Sequence, residues 1–257
     1  MALPPSSGLA EAELHTRELS YQSAEGATLR GYLAYDAAQQ GPRPGILVAP
    51  EFWGLNDYIR RRARELAALG YTALALDMYG DGKVTRVPAE AVALMQAATA
   101  SPELTRQRFE AALDLLLRQP EVDPQRVGAI GYCFGGKLVL DMARQGLPLA
   151  GVVSFHGRLT PTVPATPGAV RARVLVEHGE ADSMTTPEQL RAFEEEMRQA
   201  GVDYRLVVHP GARHGFTNPQ ADERRTEGLD IGYQKEADER SWEDMKAFFA
   251  EVFREQA

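Results

Sequence analysis

Along the chain, short continuous apolar runs alternate with longer stretches in which apolar residues recur every three or four positions. Ile46-Leu47-Val48-Ala49 is such a run, set between the turn Gly41 to Pro44 and Pro50, and it has the pattern of a strand covered on both faces. Tyr71 to Leu76, the run into Gly131, Gly151 to Phe155, Arg173 to Glu177 and Tyr204 to Val208 repeat it. Arg17 to Gln22 and Thr28 to Tyr35 read as an antiparallel hairpin turning at Glu25-Gly26. The helical stretches carry their own punctuation. Asn56 caps a stripe of Ile59, Ala63 and Leu66 that ends at Gly70, and Pro88 opens a second helix. Ser101-Pro102-Glu103 starts the stripe Phe109, Ala112, Leu113 and Leu116, with Pro120 to Pro124 as a turn behind it. A helix after Cys133 runs to about Gln145 and stops at Gly146. Thr186, Pro187 and Gln189 make a capping box before Leu190, Phe193 and Met197, and the final helix carries Trp242, Met245, Phe249 and Val252.

Buried strands alternating with amphipathic helices predict an α/β fold of about eight mostly parallel strands with helices on both faces. The Pro- and Thr-rich loop from Gly157 to Ala169 is too short for a large cap domain. No internal repeat or linker divides the chain, so residues 1–257 are expected to form a single domain, with 1–16 a loose N-terminal segment.

Hydrophobic content of 44% and charged content of 25% are ordinary for a globular protein. The formal net charge of −8 argues against nucleic acid or anionic membrane as a partner. Arg60, Arg61, Arg62 and Arg64 form the densest basic cluster and are expected on a solvated helix face. Met1 to Thr16 has neither the charge pattern of a signal peptide nor a membrane-spanning run, so a cytoplasmic location is the default. The single cysteine allows no internal disulfide.

That cysteine lies in Gly131-Tyr132-Cys133-Phe134-Gly135, which has the spacing of the nucleophile elbow G-x-S-x-G with a thiol in place of the hydroxyl. Gly131 to Lys137 also fits most of a phosphate-cradling loop, with Thr72 to Asp77 as an apolar strand ending in an acid. Leu138, however, stands where the magnesium-binding hydroxyl belongs. In open α/β sheets ligands gather beyond the carboxyl ends of the strands, and the residues there form a coherent set. Glu51 and Phe52 follow the Ile46 run, Cys133 the elbow strand, Asp182 the Arg173 strand and His214 the last strand. Nucleophile, acid, histidine is the chain order of α/β-hydrolase triads. A thiol of ordinary pKa, ~8.5, is mostly protonated at neutral pH and needs an imidazole to take its proton, the role expected of His214. Asp182 would fix the imidazole tautomer, and the N–H groups of Phe134 and Phe52 would form the oxyanion hole. The rivals are Glu180 for the acid and His209 for the base, with His178 and His156 read as supporting residues. No spacing of histidines, cysteine and acids suggests a metal site.

At Glu51-Phe52-Trp53-Gly54, Gly131 to Gly136, Glu180-Ala181-Asp182 and Ala212-Arg213-His214-Gly215-Phe216 the sequence resembles the dienelactone hydrolase family of α/β-hydrolases, from about Tyr21 to Phe253. The resemblance implies hydrolysis of a small-molecule ester or lactone through a Cys-Asp-His triad and an acyl-thioester, without a cofactor. It also implies that Glu51 contacts the cysteine and helps generate the thiolate. Family members acting on dienelactone hold its carboxylate with arginines, one shortly after the tyrosine matching Tyr79 and one four residues beyond the histidine. Here those places hold Asp81-Gly82 and Asn218, leaving Lys83, Arg86, Arg158 or Arg213 as substitutes. Trp53, Tyr79, Lys83, Arg213 and Asn218 are the expected substrate-binding residues, and the loop from Thr217 to Gly232 is expected to border the site. Alternatives left open are a thioesterase or peptidase with the same triad and a non-catalytic module whose Cys133 senses oxidants. The assembly is expected to be a monomer or small homo-oligomer.

Overall fold

The computed structural model describes residues 13–225 and 228–255. Its strands are β1 (Leu14–Gln22), β2 (Thr28–Asp36), β3 (Arg43–Ala49), β4 (Thr72–Ala75), β5 (Val122–Tyr132), β6 (Gly151–Phe155), β7 (Arg173–Gly179) and β8 (Tyr204–His209). They form one eight-stranded sheet in the order β1-β2-β4-β3-β5-β6-β7-β8. β2 pairs antiparallel with both β1 and β4, and every other neighbouring pair is parallel. The helices are α1 (Asp57–Ala68), α2 (Pro88–Ala98), α3 (Pro102–Leu117), α4 (Phe134–Arg144), α5 (Pro187–Gln199), α6 (Ala221–Arg225) and α7 (Lys235–Arg254).

Strand alternation decides which core each residue joins. On β3, Leu47 and Ala49 pack with Phe109, Leu113, Leu138 and Phe193 of α3, α4 and α5, whereas Ile46 and Val48 face Ile59 and Leu66 of α1 and Met245 and Phe249 of α7. The sheet is therefore covered on both sides, as its uninterrupted apolar runs require. From β3 the chain moves to β4 on one side and later to β5 on the other. That reversal opens a crevice beyond the carboxyl ends of β3 and β5, the place where doubly wound sheets bind ligands.

Three local expectations need correction. β1 starts at Leu14 rather than Arg17, because Leu14, His15 and Thr16 pair with Asp36, Tyr35 and Ala34; residues 1–12 of the segment expected to be loose lie outside the described residues. β5 starts inside the expected turn, since Val122 and Asp123 pair with Arg43 and Pro44 before the register shifts between Pro44 and Gly45. Arg62 is not solvated. It is buried, paired with Glu65 and Asp238, and stacked against the rings of Tyr58, Tyr132 and Trp242. The alternation of charged residues around it gave no sign that α7 would cover this one position.

Candidate active site

Cys133 is the single residue between β5 and α4, and its backbone sits at φ 54°, ψ −112°. The neighbouring glycines explain why. A Cβ on Gly131 would lie 2.0 Å from the carbonyl oxygen of Gly135, and one on Gly135 would lie 2.1 Å from that of Ala49. Strand and helix therefore meet backbone to backbone, and the reversal falls entirely on Cys133. A non-glycine residue in this region carries strain of order 1–3 kcal/mol, which the surrounding packing must offset.

The loop after β8 brings His214 to the sulfur, with Nε2 3.0 Å from Cys133 Sγ and Nδ1 2.9 Å from Asp182 Oδ2. The other Asp182 oxygen accepts the N–H of Met184 at 2.9 Å. Backbone bonds set the two loops against each other: Ala181 N–H donates to Ala212 at 2.9 Å, and Gly232 N–H donates to the His214 carbonyl at 3.0 Å. Burial alone would lower the pKa of His214, but the charge of Cys133 and the bond from Asp182 outweigh it and hold the imidazole well above its usual value. Burial pushes Asp182 up, and the hydrogen bond and charge of His214 more than reverse this, leaving the carboxylate below its ordinary range. The rivals are engaged elsewhere. Glu180 accepts the N–H of Gly211 at 2.9 Å, and His209 faces Glu177 at 2.6 Å.

Phe134 is the first residue of α4, so its N–H is one of the donors an α-helix leaves free. Among the described residues neither it nor the N–H of Phe52 donates to another protein group. The carbonyl of Phe52 accepts the hydroxyl of Tyr79 at 2.8 Å, which steadies this loop after β3.

Glu51 is buried beside these groups, and desolvation raises its pKa against the opposing bond from Asn218 and the charges of His214, Arg224 and Arg62. Asn218 Nδ2 donates to Glu51 Oε2 at 2.8 Å. The carboxyl is thus held by Asn218, and no hydrogen bond joins it to the sulfur in this arrangement. A cavity of about 590 Å³ opens over Cys133, His214 and Glu51, with Trp53 and Asn218 in its lining. Tyr79, Lys83 and Arg213 are not in that lining. The Tyr79 hydroxyl is bonded to Phe52, Lys83 is exposed on its loop, and Arg213 is paired with Asp230 outside. The 217–232 segment does border the site, supplying Ala221, Arg224, Leu229 and Ile231. Val92 and Met95 of α2 form part of the wall; their apolar side chains in an otherwise weakly amphipathic helix were the available signal for this.

Residues 29–253 match the dienelactone hydrolase family. The chain belongs to that family. It is 39% identical to a crystal structure described as a dienelactone hydrolase-like promiscuous phosphotriesterase from metagenomic libraries, with TM-score 0.88, covering 93% of this chain and 98% of that one. A protein of Saccharolobus solfataricus named as a candidate carboxymethylenebutenolidase is 27% identical over 92% of this chain and 98% of its own. An uncharacterized protein of Caenorhabditis elegans, K02A2.1, is 38% identical over 151 residues, 58% of this chain and 94% of its own. This family member is a dienelactone hydrolase-like ester or lactone hydrolase on an α/β-hydrolase sheet, with no large cap domain among the described residues. Among its described residues no helix is long and apolar enough to cross a membrane.

Proposed function

We propose that this hydrolase cleaves charge-neutral esters and lactones bearing an apolar acyl group, through a thioester on Cys133. The observation that carries the proposal is the hydrogen-bond chain from Cys133 through His214 to Asp182 on a strained elbow. His214 Nε2 takes the thiol proton while Nδ1–H donates to Asp182, which stabilises the imidazolium. The sulfur attacks the carbonyl carbon, and the N–H groups of Phe134 and Phe52 stabilise the oxyanion. The imidazolium then protonates the leaving alkoxide. In the second half His214 removes a proton from water, hydroxide adds to the thioester, and the acid leaves as sulfur regains its proton from His214. Glu51 is assigned to the thiol-activating role that the family resemblance implies.

The choice of a neutral substrate rests on where the cations in the cavity wall are directed. The Lys137 ammonium bonds Asp141, the Thr160 carbonyl and Thr162, and Arg224 lies 3.7 Å over the Trp53 ring. Arg158 is exposed at the rim. Where a clamp arginine is expected, Asn218 holds Glu51 instead. Val92, Met95, Leu138 and Met142 offer apolar contact to an acyl chain. The test compares wild type with Cys133→Ala on a hexanoate ester, a neutral lactone and a dienelactone carrying a free carboxylate. Turnover abolished in the folded variant, with wild type favouring the two neutral substrates, is expected. Equal rates in the two proteins would overturn the thioester, and preference for the charged lactone would overturn the substrate class.

A further inference from the structure

Besides Cys133, two other non-glycine residues among those described have positive φ, Asp81 and His156, and His156 touches the nucleophile's backbone. His156 follows β6 with φ 43° and is fully buried. Its Nδ1 lies 3.1 Å from the N of Cys133, whose N–H it shares with the Phe155 carbonyl at 3.0 Å. Accepting that N–H requires a lone pair on Nδ1, so the ring proton of the neutral imidazole sits on Nε2. Nε2 is 2.7 Å from Thr217 Oγ1, to which it donates. The same hydroxyl is 2.7 Å from the Tyr58 hydroxyl, and the Thr217 carbonyl accepts from Arg62 Nη2 at 2.9 Å. Tyr58, Arg62 and Thr217 are all buried.

We propose that His156 is a positioning residue for the reaction: it pins the N–H of Cys133 and, through Thr217, ties the nucleophile elbow to α1. The inference rests on the thioester reading of Cys133. The φ and ψ of Cys133 set the plane of the following peptide, whose N–H is the oxyanion donor of Phe134. Holding the N–H on the near side of this strained residue resists its relaxation and keeps that donor aimed. Burial first, and then the charges of His214 and Arg62, keep the His156 imidazole well below its usual pKa, so its lone pair remains available. His214, whose ring stands edge-on 5.2 Å away, is left as the imidazole that takes the proton. A backbone anchored only for stability would be met more simply by an apolar side chain; a left-handed, fully desolvated histidine bonded at both nitrogens is costly without a positional role.

Thr217→Val and Thr217→Ser separate positioning from folding. Valine keeps the shape but leaves His156 Nε2–H and the Tyr58 hydroxyl without their partner, whereas serine restores it. The measurements are kcat and KM on a hexanoate ester, affinity for a trifluoromethyl ketone that adds to the thiol and generates the oxyanion, the thermal midpoint, and iodoacetamide labelling of Cys133. The expected result for Thr217→Val is a fall in kcat of about tenfold, KM little changed and a parallel loss of ketone affinity. Labelling persists, and Thr217→Ser returns kcat to within about threefold of wild type. His156→Asn, which tolerates the left-handed backbone and places an oxygen near the Nδ1 position, retains more kcat than His156→Leu. A lowered thermal midpoint with kcat and ketone affinity as in wild type would overturn the proposal and leave His156 a structural residue. Cys133→Ala in the same assay keeps the two readings apart: its full activity would sink the thioester, whereas inactivity with an unimpaired Thr217→Val would sink only the positioning role.

Discussion

Glu177→Gln is predicted to remove a large pH dependence of stability. Glu177 has no exposed surface, its Oε2 lies 2.6 Å from His209 Nε2, and its Oε1 has no hydrogen-bond partner among the described residues. Burial and then the charge of Asp244 push its carboxyl up to about 9, against an opposing contribution from Arg240. Burial also holds His209 below its ordinary value. Both groups are therefore neutral at pH 7, and the carboxylic O–H donates to the imidazole nitrogen. In the unfolded chain the same carboxyl titrates near ~4.3. Because the folded pKa is the higher one, this group's stabilisation is complete below the unfolded value and is lost as pH rises through the folded one. Between pH 7 and 9 the folded state keeps most of a proton that the unfolded state has already released. At ~1.4 kcal/mol per pH unit, and allowing for partial ionisation near 9, the loss is about 2 kcal/mol. His214, also raised, loses stabilisation in the same direction, but it is present in both proteins and cancels in the comparison. Glutamine keeps the shape and a donor to His209 without titrating. Urea unfolding of both proteins at pH 7 and pH 9 is the assay, and the wild type should lose about 2 kcal/mol more than Glu177→Gln across that interval. Parallel losses would refute the claim that the folded Glu177–His209 pair holds an extra proton between pH 7 and 9.

Two further predictions concern the site. Asp182→Asn leaves the shape of the loop but offers an amide to His214 Nδ1, so the imidazole no longer presents its lone pair to Cys133; kcat should fall by roughly 10²–10⁴, measured on a neutral ester, with little change in the thermal midpoint. Asn218→Arg places a cation beside Glu51 and in the cavity wall, and should raise the ratio of kcat/KM for a carboxylate-bearing lactone over a neutral one by about tenfold, a fraction of the Coulomb attraction at short range; an unchanged ratio would mean that position 218 does not meet the substrate.

Much of the fold was legible because its signals are local. The apolar runs fixed the strands, the Ser101 and Thr186 caps appear as hydrogen bonds in the structure, and Asn56 accepts the N–H of Ile59 as its position suggested. The elbow was legible because two glycines flank a nucleophile at a spacing that only a tight strand-to-helix turn uses. What stayed hidden depends on contacts between distant segments. Arg62 meets Asp238 and Thr217 across more than a hundred residues, so nothing near α1 marks it as buried. The same is true of the partners of His156 and Glu177: Cys133 follows β5, Thr217 lies in the loop beyond β8 and His209 ends β8, so they meet only when β5, β6, β7 and β8 stand side by side. Substrate contacts were least legible. Tyr79, Lys83 and Arg213 lie near the motifs in sequence, but where a side chain points after a loop is settled by what else competes for it.

Asn218 connects the two features in which this site departs from the pattern expected of a dienelactone-binding relative. An arginine at that position would hold the neighbouring glutamate ionised and present a cation to a substrate carboxylate. An uncharged amide presents no cation, and its hydrogen bond to Glu51 opposes without overcoming the desolvation that draws the carboxyl toward its protonated form. On the proposed reading Asn218 therefore withholds one cation from an anionic substrate, while burial of Glu51 lessens the negative charge that a neutral, apolar one must approach. The proposed catalytic groups stand just beyond the ends of β3, β5, β7 and β8, whereas Asn218 and the apolar wall of α2 lie farther along the chain from those ends. The proposed chemistry and the selectivity thus meet at the Asn218–Glu51 hydrogen bond, and replacing Asn218 should alter both which substrate is preferred and, through Glu51, how readily the thiolate forms.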